Sequence, residues 1–229
     1  MAKAMFELVI GDKAWSSWSL RPWIAMKMAG IPFSEVHIRL RQDDTKSQIL
    51  KHSPSGQVPA LKWRGEIISD SLAICETLAD LYPEKQLWPA DPMARAFARS
   101  ISAQMHSGFI DLRRDMPMDV LHTYPGEGHS ETALAAIRRV VEIWRYARLN
   151  FGRKVTGDEG FLFGKFTIAD AMYAPVASRF QTYAVDLSRL GDSAEPQSGI
   201  ARDYVKTILS TQAYAQWFDE AEIESAARD

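Results

Sequence analysis

The segment Trp15-Ser16-Ser17-Trp18-Ser19-Leu20-Arg21-Pro22-Trp23 places three serines between an apolar run, Phe6 to Ile10, and a helical repeat of Leu20, Ile24 and Met28. Hydroxyls there lie beside unpaired backbone N–H groups at the positive end of a helix. Such a place suits an anion, and a thiolate is one. A thiol held there, with a serine hydroxyl donating to it, has its pKa drawn toward neutrality. The same serines also suit plain capping of the helix. Two more segments carry anchoring groups. In Gln57-Val58-Pro59 the bond before proline is trans, as at a sheet edge, or cis, which would turn the Val58 N–H and C=O outward toward an extended peptide. At Ser69-Asp70-Ser71 a helix begins. Asp70 or Ser71 caps it, or Ser71 and nearby amides hold a carboxylate while Asp70 takes a cationic amine.

The elements that position these groups fall into two textures. Phe6 to Ile10, Val36 to Leu40 and Val58 to Trp63 read as short strands, with a tight turn at Arg64-Gly65-Glu66 into Ile67-Ile68. A first helix carries Leu20, Ile24 and Met28, stops at Gly30, and takes Pro22 in its first turn. Gln42 to Leu50 is a weakly marked helix or loop. Leu72, Cys75, Leu78, Leu81 and Tyr82 share one face of a helix that ends before Pro83. Beyond a proline-bearing linker at 87–91, Asp91-Pro92 starts a helix with Met93, Phe97, Ile101 and Met105 on its stripe. Ser130 caps a long helix facing the core with Leu134, Ile137, Val141 and Trp144, and Thr167 opens another. After a polar loop at 192–199, the last helices carry Tyr204, Ile208, Tyr214, Trp217 and Phe218. The expected organisation is an α/β domain at 1–86 and an all-helical domain at 92–229.

Composition narrows the chemistry. Of 229 residues, 46% are hydrophobic and 24% charged, with a formal net charge of -2. Such a chain folds and has no global positive field for nucleic acid or an anionic membrane surface. The single cysteine, Cys75, and the absence of an apolar leader before the first charges point to a reducing cytoplasm. No apolar run is long enough to span a membrane. Cys75 lies on an apolar helix face and reads as core packing. Without a Cys-x-x-Cys pair, dithiol chemistry is excluded. The five histidines show no metal-ligand spacing, so no metal is expected. Gly164-Lys165 lacks the glycine and hydroxyl residues of a phosphate loop. Arg113-Arg114 and Arg138-Arg139 read as solvated helix faces. Alternatively, Met105, His106, Phe109, Arg113 and Met116 line a pocket.

Taken together, the motifs resemble the cytosolic glutathione transferase family. Ser16-Ser17-Trp18-Ser19-Leu20-Arg21 is similar to the zeta-class signature Ser-Ser-Cys-Ser-x-Arg. The likeness continues through Pro54-x-x-Gln57-Val58-Pro59-Ala60-Leu61, Ser71-Leu72-Ala73-Ile74 and the capping motif Gly164-x-x-Thr167-Ile168-Ala169-Asp170, covering roughly residues 5 to 180. The resemblance implies a thioredoxin-like N-terminal domain, a helical C-terminal domain, glutathione as co-substrate and a homodimer. It implies that Ser16 polarises the glutathione sulfur, with Ser17 as helper or substitute. Val58 would pair with the cysteinyl backbone and Pro59 would be cis. Asp70 and Ser71 would hold the γ-glutamyl amine and carboxylate, and Gln57 would lie near the glycyl end. Trp18, Phe109, Arg113 and Arg179 are the expected lining of the pocket for an electrophilic small molecule.

Three departures from the class pattern stand out. Trp18 replaces the motif's cysteine, Ser53-Pro54 replaces Asn-Pro, and Arg179 is displaced by about one turn from the zeta arginine that meets an acidic substrate. The expected activity is conjugation of the glutathione thiol to an electrophile. The alternatives are cis-trans isomerisation of the maleylacetoacetate type, a non-catalytic binding module, and glutathione-dependent peroxidase or dehalogenase chemistry.

Overall fold

The computed structural model describes residues 5–193 and 198–227. β1 (Phe6–Gly11) forms the buried centre of a four-stranded sheet of order β2-β1-β3-β4. Its alternating side chains feed two layers. Phe6, Leu8 and Ile10 enter the main core, while Val9 joins Ile38, Ile49 and Ala60 on the opposite face. β2 (Phe33–Ile38) runs parallel to β1, which demands a crossover, and α1 (Ser17–Ala29) supplies it. β3 (Ala60–Trp63) and β4 (Glu66–Ser69) form an antiparallel hairpin turning at Arg64-Gly65, with β3 against β1. α2 (Thr45–Leu50) and α3 (Ser71–Leu81) complete this part. It is the thioredoxin-like arrangement that the motifs imply.

The helical part comprises α4 (Pro92–Ser107), α5 (Ile110–Asp115), α6 (Glu131–Asn150), α7 (Ile168–Thr182), α8 (Ile200–Leu209) and α9 (Gln212–Ala226). In α7 every residue except Gln181 is buried, as befits a helix that is apolar nearly all round. α1 and α4 pack directly on it, so one core spans both parts. The linker residues Leu87 and Trp88 are buried too. Asp170 fixes the start of α7 through a capping box. Its carboxylate accepts the Thr167 amide at 2.8 Å, the Thr167 hydroxyl at 2.9 Å and the Leu162 amide at 3.0 Å.

Several sequence expectations shift. β2 begins at Phe33 and ends at Ile38, earlier than the alternation from Val36 suggests. Because α1 starts at Ser17, Pro22 lies inside the helix and deprives the Trp18 carbonyl of its usual donor. In α3 the buried face is Ser71, Ile74, Cys75 and Leu78, while Leu81, in the last turn, is exposed. α4 buries Ala94, Ala98, Ile101, Ser102 and Met105. Met93 points to solvent, and Phe97 sits partly buried among Tyr146, Phe151 and Phe163. Small residues let α4 approach α7 closely, which apolar periodicity alone did not reveal. The expected polar loop at 192–199 includes 194–197, which lie outside the described residues.

Candidate functional site

The loop from β1 into α1 is short and tightly tied. The Asp12 carbonyl accepts the amides of Trp15 at 3.1 Å and Ser16 at 2.8 Å. Ser16 is the N-cap of α1 but makes no side-chain cap bond, so capping does not occupy its hydroxyl. Instead Ser16 Oγ lies 2.7 Å from Ser19 Oγ, which accepts the Gly11 amide at 3.1 Å. Ser16 and Ser17 are buried, and Ser17 immediately precedes Trp18, which reaches a cleft.

That cleft has a volume of about 580 Å³ and is lined by Trp18, Gln57, Val58, Pro59, Asp70 and Ser71 from the sheet part, with His106 and Arg113 from the helical part. The Val58–Pro59 bond is cis. Neither the amide nor the carbonyl of Val58 bonds to another described residue. Ser71 Oγ is buried, without a partner among the described residues, at the first turn of α3, where a carboxylate would find a hydroxyl beside the Ser71 amide, the Leu72 and Ala73 amides being taken by Asp70. A larger hollow of about 830 Å³ bounded by Phe180, Leu187, Arg202 and Leu209 includes none of the expected site residues. Volume alone does not mark the chemistry.

Asp70 is more heavily engaged than the sequence suggests. It adopts φ 83° as the N-cap of α3, and its Oδ1 accepts the amides of Leu72 at 2.8 Å and Ala73 at 3.2 Å. Its Oδ2 meets His106 Nε2 at 2.5 Å. Partial burial pushes the Asp70 pKa up, but the His106 bond, the two amides and the His106 charge outweigh it, leaving the carboxyl below its ordinary value.

Under the cleft floor lies a cationic stack. The Arg21 guanidinium sits 3.9 Å from the Trp18 ring centre, and Arg113 lies 5.1 Å from the same ring. Arg21 is fully buried. Its Nε donates to the Met172 carbonyl at 3.2 Å, while Nη1 and Nη2 have no partner among the described residues. Burial, then the charges of Arg179 and Arg113, push its pKa down to about 9. The field at this end of the cleft therefore favours an anion.

Other expected residues lie off the cleft. Arg179 is buried within α7, and its Nε and Nη1 donate to the carbonyls of Met116 at 2.7 Å and Pro175 at 3.0 Å. A guanidinium occupied inside the core is not a pocket residue. Met105 and Met116 are wholly buried, and Phe109, the N-cap of α5, packs partly buried against the core. Neither Ser16 nor Ser17 is among the residues that line the cleft. The Asp70 partner role of His106 had no sequence signal, because the two residues are 36 positions apart.

Known proteins resemble this chain in sequence and in fold. Residues 15–81 match the family model of the glutathione S-transferase N-terminal domain. Maleylacetoacetate isomerase of Rattus norvegicus is 33% identical over 177 residues, covering 76% of this chain and 78% of the relative. The chain belongs to the glutathione transferase family. A zeta-class glutathione S-transferase of Euphorbia esula is 29% identical over 156 residues, covering 64% of this chain and 67% of that one. In fold, a glutathione transferase homologue from Burkholderia, solved with bound glutathione, superposes with a TM-score of 0.65 at 21% identity. The match covers 95% of this chain and 98% of the other. This glutathione transferase thus has zeta-class relatives yet carries Trp18 where the class signature has cysteine. Among its described residues, no helix is long and apolar enough to cross a membrane.

Proposed function

We propose that this chain activates the thiol of glutathione with Ser16 and transfers it to an electrophilic small molecule. The observation that carries the reading is the chain of polar groups from Gly11 N–H through Ser19 Oγ to Ser16 Oγ at the start of α1. A hydroxyl proton rotates between partners at little cost. When a thiolate arrives, the Ser19 hydroxyl turns to donate to Ser16 and the Ser16 hydroxyl turns to donate to sulfur. No heavy atom moves, and each bond polarises the next. The thiol proton leaves to water. The thiolate then forms a carbon–sulfur bond, and the leaving group departs with its electron pair.

Glutathione lies extended in the cleft, with its cysteinyl backbone on Val58, its γ-glutamyl carboxylate on the hydroxyl and amide of Ser71, and its amine on Asp70 beside His106. Gln57 stands near the glycyl end. The electrophile sits against Trp18 and Arg113. Arg21 and Arg113 add positive potential that favours the thiolate. We take 87–91 as the linker between a domain at 1–86 and a helical domain at 92–229.

Reversible thiolate addition leading to cis-trans isomerisation is the second reading, supported by relatives named maleylacetoacetate isomerase, such as the rat protein. It uses the same thiolate, and product analysis with an unsaturated diketo acid separates it from conjugation.

Steady-state conjugation to 1-chloro-2,4-dinitrobenzene tests the mechanism. Ser16→Ala is expected to lower kcat/KM by about 10²-fold, the effect of losing one donor to a developing anion. Ser19→Ala should give a smaller loss and Ser17→Ala smaller still. Unchanged rates in both Ser16→Ala and Ser17→Ala sink the serine mechanism. A loss confined to Ser17→Ala moves the role to that residue.

A further inference from the structure

Lys13 lies three residues before Ser16 and is among the most deeply buried charges of the molecule, 4% exposed. Its ammonium stands 2.7 Å from Glu35 on β2, 3.2 Å from Glu220 and 3.1 Å from Glu224, the last two on α9. Its backbone is held as well. The Lys13 amide donates to Glu224 Oε2 at 2.8 Å, and the Lys13 carbonyl accepts the Trp217 indole N–H at 2.8 Å. Glu35 is itself fixed by the Trp23 indole at 2.7 Å, and Trp217 packs on Trp23 with ring centres 5.0 Å apart.

The neighbouring residue is tied from the other side. Asp12 Oδ2 accepts the Leu40 amide at 2.6 Å, and its Oδ1 meets His37 Nε2 at 2.9 Å. The Asp12 carbonyl holds the Ser16 amide, so any displacement of Asp12 or Lys13 passes directly to Ser16. Asp12, His37 and Glu224 bring donor atoms within 4.8 Å of one another, a cluster rich in negative charge. Lys13 provides the nearby positive charge. Burial pulls the Lys13 pKa down, but bonding to Glu35 and the charges of Glu35 and Glu224 outweigh it, leaving it above its ordinary value.

We infer that Lys13 is a positioning residue for the thiol-activating loop, clamping residues 12–16 between the end of the sheet and the last helix so that Ser16 meets the sulfur. The inference rests on the serine reading above. α9, some 200 residues away in sequence, thereby sets the geometry of a site it does not line. Removing the ammonium would leave three carboxylates facing one another, which repel and loosen α9 from the loop. A misplacement of even about 1 Å at such a donor weakens catalysis sharply.

The test compares Lys13→Met, Lys13→Arg, Glu224→Gln and wild type in full-length protein. It measures the pH titration of the bound glutathione thiolate by ultraviolet difference absorbance, together with kcat and the glutathione Kd. For Lys13→Met, the bound thiol pKa should rise by about one unit and kcat should fall about tenfold, with Kd within about twofold. Lys13→Arg should restore most of both. Glu224→Gln, nearly isosteric and milder, should shift the titration in the same direction, and it carries the test if Lys13→Met does not fold. Folded variants whose thiol titrates as in wild type overturn the inference, since Lys13 would then serve stability alone. Ser16→Ala and Ser17→Ala, titrated in parallel, separate the two failures. If neither serine moves the thiol pKa, the serine reading fails and takes the inference with it. If one does while Lys13→Met and Glu224→Gln do not, only the inference fails.

Discussion

His106 Nε2 and Asp70 Oδ2 lie 2.5 Å apart, joining the last turn of α4 to the N-cap of α3 across the cleft. The carboxylate expected to receive the glutathione amine is therefore already paired with a side chain of the helical part. On the proposed reading, an arriving ammonium would share Asp70 Oδ2 with His106 while Oδ1 keeps its two helix amides. One carboxylate thus caps a helix and links two layers, and the binding role proposed for it separates from these by substitution.

Asp70→Asn keeps an oxygen for the α3 amides but removes the charge. It is expected to change unfolding free energy by less than about 1 kcal/mol while weakening glutathione binding about tenfold. Asp70→Ala loses the cap as well and should cost about 1 kcal/mol in stability. Urea unfolding and calorimetric titration with glutathione read the two effects. Wild-type affinity in Asp70→Asn would remove Asp70 from the binding site.

Asp170 is wholly buried, and desolvation pushes its pKa up to about 6 despite three hydrogen bonds to its carboxylate. Its folded pKa lies above the unfolded value of 3.8, so the folded state holds the proton more tightly. The stability this contributes is full below about pH 4 and is lost as pH rises through about 6. Urea midpoints of wild type relative to Asp170→Asn should accordingly fall between those values and level off above them. A flat difference across the range would show that burial does not govern this group. Asp170→Ala, which strands the Leu162 and Thr167 amides, should cost about 3 kcal/mol.

Cys75 is fully buried, and burial pushes its thiol up to about 12. The native protein should leave a colourless disulfide reagent unreacted over minutes at neutral pH, and the same protein in urea should react with one equivalent. Cys75→Ser is expected to keep kcat/KM within about twofold, with stability lowered by about 1–2 kcal/mol for the polar atom placed in the core. Rapid native labelling would contradict the packing role.

Much of the site was legible because it is built from local signals. A serine bend before a helix, a proline entering a strand and an Asp-Ser helix start are each written within a few adjacent residues, and backbone geometry fixes what those residues do. The Thr167–Asp170 capping box was legible for the same reason. Burial faces were less so. Leu81 and Met93 fit an apolar period yet face solvent, while Ala94, Ala98 and Ser102 face the core, because close helix contact selects small residues that periodicity ignores.

By itself, the sequence determined the order of elements and the family, and it supplied the serine bend on which the proposed thiolate site rests, since hydrogen-bonding capacity and apolar period are properties of short segments. The tertiary structure alone decided which charges meet. It paired Asp70 with His106, withdrew Arg179 into the core, slid Arg21 beneath Trp18 and brought Glu220 and Glu224 to Lys13. Charge pairing acts over a few ångströms of space whatever the separation along the chain, so no local pattern records it.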